Sequence, residues 1–189
     1  MKLRYLAALL LFTIISCKMS RAANAAGITD TLGTKIQTIN YQLKASGEDT
    51  ATLEDGLMPW ISLDHPEKQI DSLIGANEVV LPYKKVTLII DYPLTRQAVL
   101  EISSQTENFT RKDLILAISK KYHEIYEEET KTAQTKVVPP DQRNGVINRN
   151  ETEGKYGICC HDLTDLDLGS VEVYKGINDK IYLILEVES

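Results

Sequence analysis

Between residues 110 and 132 the apolar positions fall three and four apart, at Leu114, Ile115, Ile118, Tyr122, Ile125 and Tyr126. That spacing winds them onto one stripe of an α-helix. Thr110, with Asp113 three residues on, supplies a start signal. Lys112, Lys120, Glu124, Glu127 and Glu128 lie mostly off the stripe, and Glu127 stands one turn before Lys131. The run Glu127-Glu128-Glu129 reads as a solvated helix end.

Elsewhere the period drops to two. Ile39, Tyr41 and Leu43 alternate with Thr38, Asn40 and Gln42, which predicts a half-buried strand stopped by Ser46-Gly47-Glu48-Asp49. Val86 to Leu94 is the strongest strand, rich in β-branched residues, with Pro93 suited to its end or an edge. Ala98 to Ser103 is placed to pair with it as a hairpin. Val171 to Tyr174 and Ile181 to Val187 flank Lys175-Gly176-Ile177-Asn178-Asp179-Lys180, a second hairpin signal. Tyr156 to Asp162 reads as one short strand. Asp64-His65-Pro66-Glu67 resembles a helix start, followed by an apolar stripe of Ile70, Leu73 and Ile74 and a stop at Gly75.

These elements sum to an α+β fold: an antiparallel sheet of about four to six strands, one long amphipathic helix on one face, and a second short helix. Leu114, Ile118, Tyr122 and Ile125 are expected to pack on Leu88, Ile90, Leu100, Leu183 and Leu185. Residues 34–189 form the expected single domain, with a long polar loop at about 132–155. Pro139-Pro140 and Asn144-Gly145 lie in that loop, and loops of this length are usually either functional or disordered.

The 189-residue chain is 43% hydrophobic and 25% charged, with nine Tyr but two Phe and one Trp. A core is available, and its aromatic part keeps a polar handle. The formal net charge is -6; without residues 1–16, which include Lys2 and Arg4, 19 basic face 27 acidic residues, or -8. That balance, with no basic stripe, argues against nucleic acid as a partner and against anionic lipid as the main one.

The first residues add a different message. Met1-Lys2-Leu3-Arg4 is a positive start, and Tyr5 to Ile15 is an apolar run too short to span a bilayer comfortably. It ends in Ile14-Ile15-Ser16-Cys17. This resembles the lipobox of bacterial lipoproteins, in which a small residue precedes a cysteine that is lipidated and becomes the new N-terminus. The resemblance covers residues 1–17 only. It implies a signal peptide at 1–16, a lipidated tether at 17–33 and a membrane anchor at Cys17. Lys18 in place of Asp after the cysteine implies the outer membrane or cell surface. Cleavage after Ala23-Asn24-Ala25 is the competing reading and leaves a soluble secreted protein. A third reading takes Asn108-Phe109-Thr110 and Asn150-Glu151-Thr152 as glycosylation sequons of a eukaryotic protein.

Candidate chemistry concentrates in Cys159-Cys160-His161-Asp162, followed by Asp165 and Asp167. On a strand, Cys159 shares a face with His161 and Cys160 with Asp162, so the four do not converge. A thiol–imidazole pair requires Cys159 to reach His161. Bridging adjacent cysteines distorts the peptide between them, so no vicinal disulfide is expected. Zinc-ligand spacing is absent. Asp162, Asp165 and Asp167 are weak calcium candidates, because numbering from Asp162 puts Asp167 and Val173 at the sixth and twelfth places of an EF-hand loop. His123 and Glu127 stand one turn apart as a further weak metal pair. The bland reading makes His161 and Asp162 structural groups that fix the loop, with no cofactor required.

Three functions follow. The preferred one is a non-enzymatic envelope lipoprotein that binds an envelope protein or a small ligand. The others are a small cysteine/histidine hydrolase or transferase, and a divalent-cation-binding accessory domain.

Overall fold

A computed structural model describes residues 32–45, 53, 55–144 and 148–189 of the chain. The signal segment, Cys17, the tether as far as residue 31 and the Ser46–Asp49 turn lie outside the described residues.

The order of elements is β1 (Thr34–Asn40), β2 (Leu43–Lys44), β3 (Leu57–Met58), β4 (Ile61–Ser62), β5 (Val79–Leu81), β6 (Lys85–Ile90), β7 (Ala98–Ser103), β8 (Phe109–Thr110), α1 (Arg111–Thr132), β9 (Asp167–Lys175) and β10 (Ile181–Glu188). The fold is α+β. Its main sheet runs β1-β9-β10-β6-β7, with β4 also paired to β9. Two small pairs, β2-β3 and β5-β8, lie beside it.

The sheet is mixed, not antiparallel throughout: β10 pairs with β6 in parallel, Leu183 beside Leu88. The β10 sequence accounts for its central place. Ile181, Leu183, Leu185 and Val187 are buried on one face, and Ile184 on the other. A strand apolar on both faces belongs in the middle of a sheet, and β10 sits there between β9 and β6.

The long helix forms as its spacing predicts. The Thr110 side chain accepts the Asp113 amide at its start. Leu114, Ile115, Ile118, Tyr122 and Ile125 are buried in one cluster with Val86, Leu88, Ile90, Val171, Val173, Leu183 and Leu185. Leu100 is only half-buried, packed at the margin of that cluster. The second helix is reduced to two 3-10 turns, Pro66–Lys68 and Ile70–Ser72. Gln69 separates them and its side chain accepts the Ser62 amide at 2.8 Å. The Asp64 carboxylate faces His65 and His123 instead of capping a helix.

Tyr156–Asp162 is not a strand either. It makes only isolated bridges, Leu94 with Ile158 and Arg149 with Cys160. Gly157 (φ 65°) and Cys160 (φ 76°) both lie in the left-handed region, which breaks the extended path.

Candidate functional site

The reactive-looking residues sit where the end of α1 meets the chain that returns from the long loop. Two ionic clasps hold that chain down.

The first clasp is Glu129. It continues the buried stripe of α1, one turn beyond Ile125, and is 0% exposed. This corrects its reading as part of a solvated helix end; Glu127 is exposed and Glu128 half-buried. Its carboxylate accepts the amides of Gly154 (2.7 Å), Tyr156 (2.8 Å) and Gly157 (3.0 Å). Burial disfavours its charge, but these donors and the Thr152 hydroxyl outweigh burial and hold its pKa below the usual carboxylate range. Gly154 is required here, because a side chain would collide with Thr132 and with Glu129 itself.

The second clasp is Asp162. Arg143 binds it with both terminal nitrogens, at 2.6 and 3.0 Å, a fork-on-carboxylate geometry that fixes direction as well as charge. Arg149 lies 3.8 Å away and is nearly inaccessible. Its guanidinium donates to the Ile158 carbonyl at 3.1 Å and lies over the Tyr126 ring, 5.7 Å from the centroid. Burial lowers the Arg149 pKa; Tyr126, Asp162 and Glu129 oppose that shift, and the neighbouring Arg143 charge adds to it. The Tyr126 hydroxyl donates to the His161 carbonyl at 3.0 Å. Burial, the largest influence, raises the Tyr126 pKa.

The candidates therefore take the following places. Cys159 and Cys160 form a vicinal disulfide, contrary to expectation. Strand alternation would hold the thiols apart, but the positive φ of Cys160 and the absence of a regular strand remove that constraint. A bonded pair offers no thiolate. The His161 ring lies against Tyr92, with centroids 5.6 Å apart. Asp165 accepts the Asp162 amide at 2.9 Å, closing a turn over Leu163–Asp165. Asp167 opens β9 and faces Glu188 across the sheet; burial raises its pKa. Asp162 and Asp165 thus share one capping turn, while Asp167 stands apart in the sheet. His123 does not join Glu127: its Nε2 lies 2.9 Å from the Asp64 carbonyl oxygen and 3.5 Å from the Asp64 carboxylate. Among the described residues, no group of three or more His, Cys, Asp or Glu could hold a metal ion.

Sequence reasoning missed Glu129, Arg143 and Arg149. Only Glu129 carried a signal, since it falls four residues after Ile125 on the apolar stripe.

A separate polar hollow of about 250 Å³ lies at the start of α1, lined by Gln37, Thr38, Asn40, Gln42, Glu78 and Arg111. Arg111 donates there to the Asn40 carbonyl at 2.5 Å and to Glu78 at 2.8 Å.

No family model, curated protein or solved structure matches this chain.

Proposed function

We propose that the chain is an exported, lipid-anchored envelope protein whose α+β domain binds a partner protein or a small ligand and catalyses no reaction. The observation that carries this reading is the engagement of Cys159, Cys160, Asp162 and Asp165 in holding the fold. Asp162 is matched to Arg143 in a two-pronged pair. Asp165 closes a turn, and the two thiols are joined to each other. A hydrolase using Cys159 and His161 would need a free thiolate. A cation site would need carboxylate oxygens not already facing arginine. The anchor part rests on the sequence: a charged start, a short apolar run and Ser16-Cys17.

The test is the intact mass of protein extracted from membranes. The reading expects a chain that begins at Cys17 and carries acyl chains, and Cys17→Ala should abolish both features. A mature N-terminus at Ala26 would replace the lipoprotein with a soluble secreted protein.

A further inference from the structure

From the way the chain enters the sheet, we infer that the β9–β10 turn docks on the lipid bilayer, with Ile177 entering the interface between flanking lysines. The inference rests on the lipoprotein reading, which makes the bilayer the surface this domain meets at close range.

The first observation is Ile177 itself. It is the apex of the turn and is fully exposed, at 102%. Single exposed apolar residues are ordinary, so its surroundings decide its meaning. Lys175 and Lys180 flank it in the chain, and both are exposed. The Tyr182 ring packs beneath the turn, because a Cβ on Gly176 would lie 2.9 Å from it. An apolar tip with tyrosine and lysine behind it matches the layering of a membrane interface.

The second observation is where the chain from Cys17 arrives. Leu32 is buried with Ile89, Tyr174 and Ile184 on the sheet face opposite α1. Gly33 follows at φ 95°, and a side chain there would overlap the Lys175 carbonyl. The described chain therefore begins packed against this turn. Leu32 is 15 positions beyond Cys17, so an anchor there keeps this end within reach of the surface, at most about 50 Å away even at full extension. Such a tether raises the effective concentration of this end at the surface, so a weak contact suffices.

The third observation is charge polarity along the strands. Lys35, Lys84, Lys85, Lys175 and Lys180 gather at the end of the sheet that bears the turn, where Thr34 aligns with Lys175 and Lys85 with Ser103. Glu172, Glu107, Glu101 and Asp179 pair with the first four of these lysines, and all four lysines are exposed. Exposed pairs are weak and can exchange for lipid phosphates. The opposite end holds Asp165, Asp167, Glu186 and Glu188, against Arg96 just before β7 and Arg111 on the end of β1. An anionic surface repels that end and accepts the first.

The test uses the full chain in vesicles of phosphatidylethanolamine and phosphatidylglycerol that contain nitroxide lipids. A bimane probe is placed at Ile177→Cys or, at the far end, at Thr164→Cys. The inference expects quenching several-fold stronger at position 177. Lys175→Glu with Lys180→Glu should weaken it, as should replacing phosphatidylglycerol by phosphatidylcholine. Equal quenching at the two positions overturns docking, whether the turn is then free or covered by a protein. Intact mass of the same sample checks the anchor independently. If Cys17 carries no acyl chain, the lipoprotein reading fails, and docking is judged by adding the same vesicles to the labelled chain: selective quenching at 177 retains it, and none overturns it.

Discussion

The contact between α1 and the sheet and the return of the long loop at the end of α1 bury comparable side chains by opposite means. Ile118 and Tyr122 are fully buried among apolar residues. One turn beyond Ile125, Glu129 is equally buried, among backbone amides. Apolar burial is non-directional and tolerates small shifts. A buried carboxylate with three amide donors holds one geometry and fails abruptly when a partner is lost. One stripe of one helix therefore packs a sheet at its start and latches a loop at its end.

The core side should give the largest single effect. Ile118→Ala removes a fully buried side chain and should cost about 2–5 kcal/mol in urea unfolding. A change within experimental noise would mean that α1 does not pack on the sheet.

The latch comes next. Glu129→Gln keeps the shape but replaces one acceptor oxygen with a donor against backbone amides, and should cost about 2–3 kcal/mol. Hydrogen exchange should accelerate at Gly154, Tyr156 and Gly157 more than at Leu183. Uniform acceleration would erase the distinction between latch and core. The same carboxylate has a pH signature. Its folded pKa is depressed, so its contribution is complete above the unfolded glutamate value of about 4.3 and is lost as pH falls through the lower folded value. Wild type should lose stability on acidification through that window more steeply than Glu129→Gln. Parallel profiles would contradict the assignment.

The smallest effect is expected at the helix start, where Thr110→Ala removes the acceptor for the Asp113 amide and should cost about 1 kcal/mol. A loss as large as that of Ile118→Ala would show that the β8–α1 junction, not the stripe, governs helix formation.

The two regions also differ in how far the sequence discloses them. The period of α1, the Thr110 start, the β6–β7 pair and the β9–β10 hairpin are written in local repeats, which one pass along the chain can detect. The parallel β10–β6 pairing is less visible, because register between distant strands is a property of the whole sheet. The clasps are hardest. Arg143 and Asp162 are 19 residues apart in a polar stretch with no period, and nothing local links them. The strand expected at Tyr156–Asp162 fails because Gly157 and Cys160 turn the chain at positive φ, which the apolar run around them does not reveal. Asp64 likewise resembles a helix cap until His123, from a distant element, is seen beside it.

The claim that matters most is that His161 and Asp162 belong to the fold and not to an active centre. Asp162→Asn tests it most directly, with urea unfolding measured beside a screen of metals, small ligands and thiol-reactive probes on the same samples. The account predicts a lower unfolding midpoint, faster hydrogen exchange in residues 148–162, and unchanged binding per folded molecule. A variant that unfolds at the wild-type midpoint but loses a ligand, a metal or an activity would contradict it and make the segment an active region.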